Sequence, residues 1–206
     1  MTAKGFEKIS PQRKYHGIST QIIGQIKNVR VPFNVDIGVG DVIVPCAEER
    51  TISTQLSDFE APVIMTYSLE STIAEKFDAI LQRFELTGRM KDFYDIYYLA
   101  RTFDFDGARL QTAIARTLER RGTPYDRDSF KRVTALADDV DMQKRWRFFL
   151  KNIKNDTLEF DVVIVEIQTF LEPVFDAIVN EEEWQKMWDS KVIKWDNTSA
   201  IHVYRE

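Results

Sequence analysis

The apolar residues between positions 69 and 84 follow the spacing of an α-helix, and a lysine lies at their edge. Five of them recur at steps of three or four residues, which predicts a helix with one buried face. They are Leu69, Ile73, Phe77, Ile80 and Phe84. Because each residue turns a helix by about 100°, Lys76 falls on the edge of this apolar stripe.

A second helical pattern follows and places two carboxylates against its own apolar stripe. That stripe consists of Ile96, Leu99, Ala100 and Phe103. Asp92 projects into its middle, and Asp95 lies at its margin. Because a buried and unpaired charge is energetically expensive, Lys76, Asp92 and Asp95 are expected to meet partners, a metal ion or a substrate.

The polar and apolar residues of positions 15–39 alternate as they do in β-strands. Two strands joined near Lys27 and Asn28 are predicted, which makes a hairpin. In the second strand one face carries apolar residues and the other carries Asp36. The apolar face consists of Phe33, Val35, Ile37 and Val39. A hairpin alone is marginally stable in water, so further strands are expected, and the segment PVIMTY is one candidate.

The remainder of the chain has a helical pattern. A third helix is expected to end near Gly122, and further helices cover about 128–152 and 157–179. The last segment, with Trp184, Trp188 and Trp195, is predicted to pack on the helical part, although exposed tryptophans would suit an interface. The predicted fold class is α+β, with a β-rich part over residues 1–67 and a predominantly helical domain over residues 68–206.

Composition excludes several classes of protein. No run of about 18 apolar residues is present, which argues against a membrane span, and the first residues lack the apolar core of an export signal, so a cytoplasmic location is expected. The single cysteine, Cys46, cannot form an internal disulfide or a cysteine-cluster metal site. The two histidines, His16 and His202, lie at opposite ends of the chain, which gives histidine-based zinc or triad chemistry little support.

The net charge of −5 argues against nonspecific binding of duplex DNA but leaves room for a local basic patch. Such a patch is suggested by a run of basic and aromatic residues. The run is Lys144, Arg145, Trp146, Arg147, Phe148 and Phe149. It could bind RNA, or it could be an amphipathic helix with a solvated basic edge.

Each candidate residue has a structural interpretation beside the functional one. Asp36 could be a solvent-facing strand residue or a ligand of Mg²⁺, which prefers carboxylate oxygens. Lys76 could cover the apolar stripe with its methylene groups, or it could place a positive charge beside a triphosphate. Asp92 and Asp95 could be helix-start carboxylates paired with neighbouring basic residues.

Three segments contain these charged residues in one order: a strand carboxylate, a helical lysine and a pair of helical aspartates. The segments are NVDIGVGDVIVP, YSLESTIAEKFDAILQR and GRMKDFYDIYYLA. Together they resemble the nucleotidyltransferases of the abortive-infection toxin type, the AbiEii/AbiGii family. The resemblance covers roughly residues 15–180 and is thin after about residue 105.

The resemblance implies a partial polymerase-β-like nucleotidyltransferase sheet followed by a helical domain. It also implies a Mg²⁺-dependent toxin that transfers a nucleotide from an NTP to an RNA or protein acceptor, with a cognate antitoxin as a partner. In this class, metal ions activate the attacking hydroxyl group and neutralise the leaving pyrophosphate.

The same resemblance assigns roles to individual residues, with Asp36, Lys76 and Asp92 as the catalytic candidates. Lys76 would contact the nucleotide phosphates, and Asp92 would be the family's aspartate at the start of the next helix. Asp95 would be the second aspartate of that block and part of the substrate site. Asp36 would be the later carboxylate of the catalytic sheet and a metal ligand. By proximity alone, two further phosphate contacts are Arg89 and Lys91.

The family also has a glycine-rich turn of the GGT or GS type and a nearby DxD or DLD pair that binds the metals, and the chain shows neither. The DVD at Asp139 to Asp141 lies in the helical region. We therefore expect the C-terminal portion of such a transferase, from a fragment or a split or decayed gene, that is inactive without the missing segment. The alternative is an inactive remnant or helical interaction module that binds an antitoxin or a partner fragment.

Overall fold

A computed structural model describes residues 2–9, 17–84, 88–155 and 157–197. The chain divides into two compact units, residues 1–41 and residues 42–206. The segment 42–67, which the sequence assigned to the β-rich part, therefore groups with the helices, and the domain boundary near residue 67 stays a prediction. His16 and His202 lie outside the described residues.

The first unit contains a three-stranded antiparallel sheet in the order β1-β2-β3. Its strands are β1 (Thr2–Ile9), β2 (Gly17–Ile26) and β3 (Val29–Gly38). The predicted hairpin is confirmed, and Lys27 in its turn has a φ of 53°, the left-handed region that tight hairpin turns require. The sequence did not predict β1, which adds the further strand that an isolated hairpin needs.

The predicted apolar face of β3 is not a buried layer. Phe33 and Ile37 are exposed, as is Val39 just after the strand. The alternation of apolar and polar residues therefore identified the strand correctly, but it did not predict the exposure of these side chains.

Within its described residues, the second unit has six α-helices. They are α1 (Leu69–Arg83), α2 (Met90–Thr102), α3 (Gly107–Arg121), α4 (Ser129–Thr134), α5 (Val140–Asn152) and α6 (Phe160–Val179). The helix predicted over 128–152 is divided, because Asp139 has an extended backbone and its side chain accepts a hydrogen bond of 2.8 Å from the Met142 N–H. An N-cap of this kind starts a new helix. α3 ends at Gly122, as predicted, and Gly122 has the left-handed conformation that suits a C-terminal glycine.

The core of the second unit is mostly aliphatic, and aromatic pairs within it join its helices. Phe77 of α1 meets Phe175 of α6 with ring centroids 5.6 Å apart, and Phe93 of α2 meets Phe160 of α6 at 5.4 Å. All four rings are buried. Since α1 also packs against α2, the charged edges of these two helices lie together.

Short strands complete the second unit, and the α+β class is confirmed. They are β4 (Glu48–Thr51), β5 (Val63–Thr66), β6 (Phe105–Asp106), β7 (Met187–Asp189) and β8 (Lys194–Asp196). β5 is the strand predicted from PVIMTY, and it pairs with β4, which was not predicted. None of the helices described here is both long and apolar enough to cross a bilayer.

The described part of the last segment, up to residue 197, packs on the helical part, as the sequence predicted. The indole N–H of Trp188 donates a hydrogen bond of 2.6 Å to the Ala100 carbonyl, and that of Trp195 donates one of 2.9 Å to the Phe170 carbonyl. Trp188 is buried and Trp195 is partly buried. These tryptophans therefore stabilise the chain's own core, which removes them as support for an interface.

Candidate functional site

The first turn of α1 is fixed by two serines of the SLES segment. The Ser68 side chain caps the helix by accepting a hydrogen bond of 3.1 Å from the Ser71 N–H, and it donates one of 2.5 Å to the Val44 carbonyl. Ser71 accepts a hydrogen bond of 2.8 Å from the Val44 N–H. Ser68 is therefore the N-cap of α1, and Ser71 helps to hold Val44.

The charged side chains that the sequence places on apolar helix faces, Lys76, Asp92 and Asp95, form ion pairs with one another. The ammonium group of Lys76 lies 2.5 Å from Asp95 Oδ2 and 3.4 Å from Asp92 Oδ1. The Asp92 side chain is only 4% exposed, and that of Lys76 is 18% exposed. The expectation that these groups need partners is therefore confirmed, and the partners are protein side chains.

Two further basic residues complete this charged cluster, which consists of Lys76, Arg89, Lys91, Asp92 and Asp95. Arg89 Nε lies 2.8 Å from Asp92 Oδ2, and Lys91 Nζ lies 2.6 Å from Asp95 Oδ2. Both pairs have the (i, i+3) or (i, i+4) spacing that brings side chains together on a helix. Asp92 and Asp95 therefore have the structural partners that the sequence suggested, and each also binds Lys76.

Burial and the two lysines, Lys76 and Lys91, have opposite effects on the pKa of the Asp95 carboxyl. Burial by itself would raise the pKa of the Asp95 carboxyl, but hydrogen bonds and electrostatic attraction from Lys76 and Lys91 outweigh it and hold this pKa below its ordinary value. Folding therefore favours the charged carboxylate.

We expect this difference to make stability depend on pH. The contribution of Asp95 is fully present above its unfolded pKa of about 3.9 and is lost as pH falls through the lower folded value. Asp95→Asn should flatten the acid decline in the free energy of unfolding, measured by urea denaturation between about pH 5 and pH 2. Asp176→Asn, on the exposed face of α6, is the control, and equal curves for the two variants would contradict this account.

A pocket of about 580 Å³ opens beside the charged cluster. Its described lining comes from α1, from the start of α2 and from one face of α5. The lining residues are Lys76, Gly88, Arg89, Met90, Lys91, Asp92, Lys144, Arg145, Phe148, Phe149 and Asn152. Five of these side chains are cationic and one is a carboxylate, so the described wall favours an anionic ligand. Its volume lies within the range of about 300–1,000 Å³ that is usual for ligand sites.

The pocket joins two features that the sequence treated separately. Lys76 and Asp92 come from the ordered set of charged residues, whereas Lys144, Arg145 and Phe148 come from the basic and aromatic run. Local periodicity places each feature on its helix but does not state which helices meet. The contribution of α5 to this site was therefore missed.

Two acidic residues of α1 that the sequence did not single out attach this helix to α3 and the turn after it. Glu75 is ion-paired with Arg121, and buried Asp78 accepts hydrogen bonds from Thr123 and Gln82. Glu75 lies beside Lys76 in the segment YSLESTIAEKFDAILQR, so part of that segment has a structural role. These contacts help to position α1 and thus Lys76.

Asp36 lies in the first unit, on β3. It is exposed, and its Oδ1 accepts a hydrogen bond of 2.6 Å from the Ser19 hydroxyl on the paired strand. Among the described residues, no three histidine, cysteine, aspartate or glutamate side chains are grouped as a metal site. In the DVD sequence, Asp139 is the cap of α5 and Asp141 pairs with Lys144 at 3.2 Å.

Comparison with known proteins identifies the family to which the chain belongs. A model of a family of nucleotidyl transferase toxins from type IV toxin–antitoxin systems matches residues 2–181. The chain belongs to this family, AbiEii, which confirms the resemblance seen in the three segments. Neither a curated protein nor a solved structure gives a significant match.

Proposed function

We propose that the pocket beside Lys76 binds the triphosphate of an NTP, for transfer of the nucleotide to an RNA or protein acceptor. The observation that carries this proposal is the Lys76 ammonium group, held by two aspartates at a pocket wall rich in cations. Arg89 and Lys91 line the same pocket and add positive charge for phosphate oxygens.

The aspartates of the cluster position the lysine in this proposal. An ammonium group has three N–H donors, and Asp92 and Asp95 are within reach of two of them. Asp92 also holds Arg89, so one buried carboxylate orients two of the cations that would face the phosphates. We therefore assign Lys76 to substrate contact, and Asp92 and Asp95 to positioning.

The proposed reaction is an in-line displacement at the α-phosphate. The acceptor hydroxyl oxygen forms a bond to the α-phosphorus, and the bond from that phosphorus to the bridging oxygen of the β-phosphate breaks. Pyrophosphate leaves with the electron pair, and the hydroxyl proton passes to solvent. Cations beside the β- and γ-phosphates stabilise the charge that develops on pyrophosphate.

Mg²⁺ accompanies the NTP in this class of reaction, and the described residues fit only part of its usual site. Asp36 offers one carboxylate, which suits a single Mg²⁺ completed by other oxygen ligands and water, but a two-metal centre needs more carboxylates. We propose Asp36 as a Mg²⁺ ligand on its own sheet, which forms part of a polymerase-β-like core. We also propose that this chain does not complete the transfer by itself.

Calorimetry with each of the four NTPs and Mg²⁺ tests the phosphate role of Lys76. Lys76→Ala should weaken binding at least about tenfold, because a charge-assisted hydrogen bond to phosphate contributes about 1.5–3 kcal/mol. The remaining pairs of Asp92 with Arg89 and of Asp95 with Lys91 should keep the variant folded. Lys151→Ala, on α5 but outside the pocket lining, is the matched control. Equal affinity of the wild type and Lys76→Ala would refute the proposal.

A further inference from the structure

Helix α5 presents two distinct faces, and one of them lines the pocket. Its buried residues are Met142, Trp146 and Leu150. The residues facing the pocket are Lys144, Arg145, Phe148, Phe149 and Asn152. At 3.6 residues per turn, this second set covers an arc of about 140° that the buried residues do not enter. The basic and aromatic run is therefore more than a solvated edge, because four of its six side chains, together with Asn152, form one wall of the pocket, the α5 wall.

The two phenylalanines of this wall have different environments. Phe149 is partly buried, with its ring centroid 5.5 Å from that of Trp146 and 5.7 Å from that of Tyr94. Phe148 is 69% exposed, and within the described chain no other ring packs against it. Phe149 thus fixes the helix on the core, while Phe148 offers a flat apolar surface at the pocket.

Two cations lie one helical turn before the Phe148 ring. Arg145 precedes it by three residues and Lys144 by four, which places all three side chains on neighbouring parts of one face. Lys144 is paired with Asp141 at 3.2 Å, but both side chains are well exposed, so this ion pair is weak and Lys144 can exchange its partner.

An exposed ring with adjacent cations matches the chemistry of an unpaired nucleotide. Every nucleobase has a π-face that stacks on an aromatic side chain, and its phosphate attracts lysine and arginine. The protein as a whole has a net charge of −5, so the cations of this wall form a local cluster on an otherwise acidic protein. Duplex nucleic acid keeps its bases stacked inside, which makes an unpaired base the better fit.

We propose that the α5 wall binds an unpaired nucleobase stacked on Phe148, with the attached phosphate on Arg145 and Lys144. The base belongs either to the NTP or to the end of a single-stranded acceptor. This inference shares its pocket with the proposed function, and in that respect it rests on it. Phe148 is the residue that would select an unpaired base, whereas Lys76 would bind phosphate.

Binding measurements with two probes test this proposal. The first probe is ATP with Mg²⁺, measured by calorimetry, and the second is a fluorescently labelled single-stranded oligoadenylate, measured by anisotropy. Phe148→Ala should weaken one or both about tenfold, as base stacking predicts, while Phe148→Tyr should retain binding. An effect on ATP alone assigns the base to the NTP, and an effect on the oligonucleotide alone assigns it to the acceptor.

Charge variants on the same helix provide the matched control. Arg145→Ala should weaken binding of the affected probe and reduce its dependence on salt concentration. Arg147→Ala should do neither, because Arg147 lines a separate cleft with Glu159 and Asp161. The proposal is overturned if Phe148→Ala changes neither affinity, or if the wild type binds neither probe. A loss of ATP binding in Lys76→Ala without any effect of Phe148→Ala would overturn this inference and leave the proposed function standing.

Discussion

Replacing Trp188 by alanine should lower the free energy of unfolding by about 3–5 kcal/mol, the usual cost of deleting a large buried aromatic side chain. Trp188 is 1% exposed, and its ring centroid lies 4.8 Å from that of Phe170 and 5.4 Å from that of Trp195. Its indole N–H also binds the carbonyl of Ala100 in the last turn of α2. Carbonyls in a last turn lack a partner within the helix, so the substitution removes both packing and a cap.

Trp188→Phe separates these two contributions. Phenylalanine keeps most of the packing but loses the N–H donor, so we expect a smaller loss, of about 1–2 kcal/mol. Urea denaturation followed by far-ultraviolet circular dichroism measures both variants, because that signal does not depend on tryptophan. If Trp188→Ala and Trp188→Phe lower the free energy of unfolding equally, the indole hydrogen bond contributes more to stability than the packing of the ring.

Asp92→Ala should lower the free energy of unfolding by about 2 kcal/mol. Removing one partner of a buried ion pair costs about 3–5 kcal/mol when the other charge is left alone. Here the loss is smaller, because Lys76 keeps Asp95 and the Arg89 side chain is about half exposed. Urea denaturation at neutral pH gives the value.

Asp141→Ala is the matched control for this prediction. It removes an aspartate from the exposed ion pair with Lys144, and such surface pairs contribute about 0–1 kcal/mol. If Asp92→Ala and Asp141→Ala lower the free energy of unfolding by similar amounts, the burial of Asp92 does not strengthen its ion pairs. A double-mutant cycle of Lys76→Met with Asp92→Ala measures the coupling between the two side chains directly.

Local sequence patterns predicted the parts of the fold that depend on local interactions. The α1 stripe, the β2–β3 hairpin and the end of α3 at Gly122 were correct, because spacing, turn residues and a C-terminal glycine act over a few residues. The break at Asp139 was missed, since a capping aspartate and an exposed helical aspartate look alike in a continuous helical pattern. β1 and β4 were missed because strand pairing is decided by the partner strand.

The candidate site was predicted to the extent that it lies on two consecutive helices. Charges on apolar faces identified Lys76, Asp92 and Asp95 before their contacts were known. The part of the pocket lined by α5 could not be found in this way, because residues 144 to 152 reach the pocket only through the packing of α5 beside α2. Packing of that kind depends on side-chain shapes distributed along the chain.

The charged cluster contains three cations, Lys76, Arg89 and Lys91, but only two carboxylates. Lys76 can therefore move away while each carboxylate keeps a counterion. If a phosphate draws Lys76 towards the pocket, Asp92 keeps Arg89 and Asp95 keeps Lys91 as counterions. Each carboxylate then still has a positive charge beside it. The large free-energy cost of a buried carboxylate without a counterion is therefore avoided. In the proposed function, Lys76 can therefore move towards a bound phosphate at low energetic cost and return to Asp92 and Asp95 when the phosphate leaves.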